Sequence, residues 1–127
     1  MKREENFVSY DLALKLKEIG FNEECFAVYY DGIYHEHSIQ NEYLKENNEC
    51  SAPLYQQAFD FFRNKYNIDA NIYRSFSMNN SYHFSIVINN NYDDEFQQEV
   101  VQNRSYEQAR KDCLQKIIEI HETIESK

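Results

Sequence analysis

Leu12, Leu16 and Ile19 recur at helical spacing between Ser9 and Gly20. That spacing keeps them on one face of a helix. Ser9 is a favoured N-cap, because its hydroxyl accepts a backbone N–H left over in the first turn. Gly20 suits the left-handed position that ends a helix, and Phe21 then folds back onto the apolar face. The pattern next changes to alternation. Phe26-Ala27-Val28-Tyr29-Tyr30 and Ile33-Tyr34-His35-Glu36-His37 flank Asp31-Gly32, and Asp-Gly between two β-rich runs predicts a hairpin. A two-residue turn pairs Tyr30 with Ile33, Val28 with His35 and Phe26 with His37. All six side chains then share one face.

Residues 38–51 are polar and read as a mobile surface loop with a short turn at Glu42 to Lys45. A second helix is expected to open at Ser51-Ala52-Pro53, where proline fits the first turn. Tyr55, Ala58, Phe59, Phe62 and Tyr66 form its stripe, Phe61 broadens it, and Asn67 stops it. Two strands follow near Asn71–Phe76 and Tyr82–Ile88, joined by Met78-Asn79-Asn80-Ser81. After the turn cluster Asn89-Asn90-Asn91 a weaker strand covers Phe96 to Gln102. The last helix has the clearest signal. Ser105 and Gln108 have capping-box spacing. Tyr106, Ala109, Cys113, Ile117, Ile120 and Ile124 recur at helical spacing, with Leu114 and Ile118 beside them.

These elements predict one α+β domain over residues 1–127, in the order α-β-β-α-β-β-β-α, with antiparallel hairpins packed by helices. The expected arrangement is a single-layer sheet with helices on one side and the last helix lying across it. Tyr29, Tyr34 and Tyr73 would line the other face, and an uncovered aromatic patch of that kind marks an association site. Tyr-x-x-Ala opens all three helices, at Tyr10, Tyr55 and Tyr106, but the unequal spacing reads as similar helix starts, not as a repeat.

Composition sharpens this picture. Of 127 residues 42% are hydrophobic, and 11 Tyr and 9 Phe supply apolar bulk in the absence of Trp. With only two glycines and one proline, turns fall to Asn, Asp and Ser. The 22 acids outnumber 13 bases, for a net charge of −9. Such a chain repels nucleic acid and anionic membrane as a whole. Its charge serves solubility, or a surface that meets a basic protein. The densest basic cluster, Arg104 to Lys111, is interrupted by Glu107. The charged start leads to no apolar run, and no stretch approaches a membrane span, so a reducing cytoplasm is the expected setting.

Chemistry has few candidates. Three cysteines, Cys25, Cys50 and Cys113, form no CxxC pair. Cys113 falls on the apolar stripe, whereas Cys25 and Cys50 border polar segments without an obvious activating base. His35 and His37, two apart on a strand, point the same way and form the one candidate metal pair, with Glu42 beyond. Against that, the pair reads as two half-buried strand histidines, and a cupin barrel is excluded by the shortage of glycine. Asp93-Asp94-Glu95 reads as a solvated turn before it reads as a hard-cation site. Gly20 and Gly32 stand alone, so no phosphate-cradling loop is present. No catalytic, cofactor-binding or metal-ligating residue is assigned.

The second half has the order α-β-β-β-α of double-stranded-RNA-binding domains, although its Ser105 to Lys111 segment is mixed in charge. Three stretches, Val8–Phe21, Ala52–Tyr66 and Ser105–Ile120, together resemble small uncharacterised phage and prophage proteins of Bacteroides-type bacteria. Members often carry Trp at the position of Phe61. The resemblance implies a genomic setting and a cytoplasmic location, and transfers no residue role. The expected function is therefore a non-catalytic protein-interaction module whose partner is a protein, a second copy of the chain included. The alternatives are metal binding by His35 and His37, and RNA binding by the second half.

Overall fold

The computed structural model describes residues 3–75, 81–89, 94–103 and 105–125, with side chains over 5–74, 81–88 and 105–125. The chain divides into two compact units, Met1–Ala58 and Phe59–Lys127. Its α+β class and antiparallel hairpins are those the sequence predicts. The strands, however, form two three-stranded sheets where a single layer was expected.

In the first unit a 3-10 turn, Arg3–Asn6, precedes helix α1, Tyr10–Ile19. The helix ends as its glycine predicts. Gly20 has φ 112°, its N–H reaches the Lys17 carbonyl, and the Phe21 N–H reaches the Leu16 carbonyl at 2.9 Å. This closure satisfies carbonyls the helix leaves over and buries Phe21. Ser9 sits at the N-cap, but its hydroxyl donates to the Asp11 carboxylate at 2.7 Å and caps no backbone N–H.

Strands β1, Ala27–Tyr30, and β2, Ile33–His35, pair as predicted around Asp31 and Gly32. Both turn residues have positive φ, 53° and 80°, as a tight right-twisted hairpin requires. The hairpin is shorter than expected, and Phe26 and His37 do not pair in its ladder. Cys25 instead bridges Ile39, which leaves one more residue on the second side than the hairpin register allows. Such an insertion reverses the alternation beyond it. Phe26, on the first side, keeps ordinary alternation and is 62% exposed between buried Cys25 and Ala27, on the same face as exposed Ile33 and His35.

The polar stretch 38–51 is more structured than a loop. It contains a 3-10 turn, Asn41–Tyr43, and ends in β3, Glu49–Ala52, which pairs with β1 on the side away from β2. Buried Asn41 holds it in place. Its Nδ2 donates to the Phe21 carbonyl and its Oδ1 accepts the Ser51 N–H, both at 2.8 Å. The Lys17 ammonium adds bonds to the carbonyls of Glu46 and Glu49, at 2.9 and 2.7 Å. At Asn41 polarity serves backbone satisfaction inside the fold, while Glu42, Lys45, Glu46, Asn47 and Asn48 are exposed to solvent. β1 becomes a central strand, and Ala27, Val28 and Tyr29 are buried in succession.

Because Ser51 and Ala52 belong to β3, helix α2 starts later than expected and spans Tyr55–Tyr66. The Pro53 carbonyl accepts the Val8 N–H at 2.8 Å, so proline serves the extended segment and not the helix. Gln57 Oε1 accepts the Leu54 N–H at 2.9 Å and caps the first turn from within.

The second unit carries the rest of α2, strands β4, Ile68–Ser75, β5, Ser81–Asn89, and β6, Asp94–Asn103, and helix α3, Tyr106–Glu125. Asn67 ends α2 with φ 57°. β4 begins three residues before the expected start. The sequence-predicted turns lie mostly outside the described residues, which omit 76–80 and 90–93. Phe84, Ile86 and Ile88 are buried on one face of β5, and α3 packs on all three strands. Ser105 Oγ accepts the Gln108 N–H at 3.2 Å, half of the predicted capping box. Cys113, Leu114, Ile117 and Ile118 are fully buried along α3, while its ends, Tyr106 and Ile124, are each 43% exposed.

Candidate functional site

Four aromatic residues of the first unit gather where β1, β2, α1 and the N-terminal segment meet. Phe7 lies 5.5 Å from Tyr34, Tyr34 lies 6.1 Å from Tyr29, and Tyr29 lies 5.5 Å from Tyr10, centroid to centroid. The planes meet at 53° to 64°, so neighbouring rings form corners and not a flat stack. Tyr29 is 4% exposed and Tyr34 half-buried. The open aromatic face expected at these two tyrosines is therefore covered, by Phe7 and Tyr10.

A cleft of about 400 Å³ opens among these rings, lined by Glu5, Phe7, Ser9, Tyr10, Tyr29, Gly32 and Tyr55. Its size is that of a small-ligand or side-chain site. Hydrogen bonds fix its walls. The Tyr29 hydroxyl donates to the Val8 carbonyl at 2.8 Å, and the Tyr10 hydroxyl to the Asn48 carbonyl at 3.1 Å. Burial first, then the nearby Cys50 and Asp31, push the Tyr10 phenol above its ordinary pKa, so it stays a neutral donor. Gly32 lies under the Tyr10 ring, where an added Cβ would stand 3.6 Å from two ring carbons. Sequence reasoning missed Glu5, Phe7, Ser9, Tyr10 and Tyr55 as site residues. Their only signal was the richness in tyrosine, because the cleft is drawn from segments without common spacing.

The predicted histidine pair is placed differently. His35 and His37 are both exposed, and only His35 lies in a strand. Both rings rest against Tyr30, at 5.3 and 5.6 Å, and His37 Nε2 is 2.8 Å from the Tyr30 hydroxyl. Among the described residues no group of three or more His, Cys, Asp or Glu is placed to hold a metal ion. The side chains of Asp93, Asp94 and Glu95 lie outside those described.

Cys25 and Cys50, which border polar sequence, are as buried as Cys113. Burial pushes Cys25 up to about 11, with Ser51 pulling the other way. It pushes Cys50 up to about 12 against the pull of Lys17, and Cys113 also to about 12. All three remain thiols at neutral pH and none is an activated nucleophile.

In the second unit two arginines and two tyrosines alternate. Arg74 lies over Tyr82, Tyr82 lies 5.8 Å from Tyr106, and Arg110 lies over Tyr106. Arg104, part of the predicted basic cluster, lies outside the described residues. No described helix is long and apolar enough to cross a membrane. No protein-family model, curated protein or solved structure matches the chain.

Proposed function

We propose that this chain is a non-catalytic protein-interaction module of phage or prophage origin, acting in the cytoplasm, with the aromatic cleft of its first unit as the recognition site. The observation that carries the reading is the set of fixed tyrosine walls around a cleft of about 400 Å³. Rigid aromatic rings in a partly desolvated recess are the usual anchors of protein interfaces. The raised thiol pKa values agree, since they leave the cysteines without a nucleophilic role.

The test is quantitative capture of partners from the native host by the unmodified chain, by Glu5→Lys and by Phe7→Ala. The expected result is one partner retained by the unmodified chain and depleted by both variants, at unchanged far-ultraviolet circular dichroism. Equal capture by all three would refute the cleft as the site. A differently tagged second copy in the same experiment tests self-association.

The alternating arginines and tyrosines of the second unit favour one further reading, RNA binding by residues 59–127. Guanidinium groups and stacking rings are what single-stranded nucleic acid engages. Retention on RNA that falls steeply with salt would support it, and no retention at about 50 mM salt would end it.

A further inference from the structure

The lining of the cleft is aromatic first and polar second. Phe7, Tyr10, Tyr29 and Tyr55 supply rings, and Ser9 adds a hydroxyl beside them. Tyr10 and Tyr29 stand 5.5 Å apart with planes at 64°, so a ring edge meets a ring face at a corner. A further aromatic system seats against such a corner in offset or edge-on contact. The opening of about 400 Å³ has room for one aromatic side chain.

Two hydroxyls of the lining are in a fixed state. Ser9 donates to the Asp11 carboxylate at 2.7 Å and Tyr10 to the Asn48 carbonyl at 3.1 Å, both at the surface. Carboxylate and carbonyl oxygens only accept, so both protons are committed and the hydroxyl oxygens keep lone pairs to offer. Ser9 spends none of them on the first turn of α1, which it does not cap. The bond from Tyr29 to the Val8 carbonyl is instead buried, which leaves Ser9 and Tyr10 as the accessible acceptors.

This combination selects a flat ring that carries a hydrogen-bond donor. Indole has both, because its Nε1–H donates and nothing on it accepts. A phenyl ring brings no donor. A phenol brings acceptor lone pairs as well, which these two hydroxyls cannot satisfy. We propose that the cleft takes a tryptophan side chain presented by a protein partner, with its Nε1–H donated to the hydroxyl oxygen of Ser9 or Tyr10. Tryptophan is also among the residues on which interface energy concentrates. The 127 residues contain no tryptophan, so a second copy of them cannot supply the occupant. The inference rests on the interaction-module reading and specifies what that module recognises.

The experiment is a titration of the full chain with the capped tripeptide Gly-Trp-Gly, its 1-methyltryptophan and phenylalanine counterparts, and free indole. Binding is read from the ring protons of Tyr10, Tyr29 and Tyr55 by nuclear magnetic resonance. Indole emission gives a second readout that belongs to the probe alone, since the chain has no tryptophan. 1-Methyltryptophan keeps the ring and removes the donor. The expected result is saturable shifts of the cleft rings with the tryptophan peptide and binding at least about threefold weaker for its 1-methyl counterpart. The phenylalanine peptide should bind at least about threefold more weakly as well. The double variant Ser9→Ala, Tyr10→Phe should bind the tryptophan and 1-methyltryptophan peptides alike, at unchanged far-ultraviolet circular dichroism.

Equal binding of the tryptophan and 1-methyltryptophan peptides by the unmodified chain would overturn the proposal whatever the double variant does. So would no saturable shift up to about 10 mM tryptophan peptide, or a folded double variant that keeps the full preference. Tighter binding of free indole than of the tryptophan peptide would also overturn it, by pointing to a small aromatic ligand. These outcomes are distinct from failure of the module itself. A partner captured through the cleft, together with indifference to the indole N–H, would retain the module and reject tryptophan as what it recognises.

Discussion

The Tyr29 hydroxyl donates a 2.8 Å hydrogen bond to the carbonyl of Val8, tying the central strand of the first sheet to the segment that precedes α1. Both residues are buried, so no water replaces the bond cheaply. Tyr29→Phe keeps the ring and orphans the carbonyl. The expected cost is about 1–2 kcal/mol, read as a lower urea midpoint at an unchanged slope.

Asn41 places a tighter constraint on the fold. Its amide joins the Phe21 carbonyl to the Ser51 N–H across the polar segment. Asn41→Ala removes both bonds in a buried position and should destabilise the chain by about 2–4 kcal/mol. Hydrogen exchange of the Ser51 amide should accelerate out of proportion to the global change.

The hairpin turn sets a third expectation. At Gly32 the space for a methyl group is ordinary, because the nearest atoms would lie 3.6 Å away. The penalty for Gly32→Ala therefore comes from its φ of 80°, and about 1–2 kcal/mol is expected in chemical denaturation. Asp31→Asn keeps a side chain that tolerates positive φ and should be near neutral in the same assay.

Alkaline stability follows from the thiols. All three have folded pKa values above the ordinary 9.0, at about 11 for Cys25 and about 12 for Cys50 and Cys113. A raised folded value means that the native state holds protons the unfolded state has lost. The stabilisation is complete below about pH 9 and declines as pH rises toward 11–12. Unfolding titrations across that range should show the decline, and Cys113→Ala should flatten it. At neutral pH a thiol reagent should react slowly with the native chain and rapidly with all three cysteines in denaturant.

His83 provides the last prediction. It is 1% exposed, stacks on Tyr73 at 5.6 Å, and has no hydrogen-bond partner at either ring nitrogen among the described residues. Three β6 residues stand opposite it where one would keep register. His83→Phe preserves the ring and removes unsatisfied nitrogens, so it should raise stability by about 1 kcal/mol. A clear loss instead would point to a partner that the imidazole alone can engage.

The chain's local patterns determined the helices and most strands. The apolar spacing of Leu12 and Leu16, the Asp31-Gly32 turn and the α3 stripe around Cys113 depend on side-chain period and backbone preference, which neighbours in sequence decide. Gly20 and Asn67 ended helices for the same reason, since both positions need a left-handed backbone. Tertiary structure decided what depends on remote partners. Glu49 to Ala52 became a strand because β1 had a second edge to pair, which moved the start of α2 past Pro53. The Cys25–Ile39 bridge took the place of the expected Phe26–His37 pair, through one extra residue on the second side. The aromatic cleft is the extreme case. Glu5, Phe7, Tyr10, Gly32 and Tyr55 share no period, and only the packing of four separate segments brings these residues to one recess.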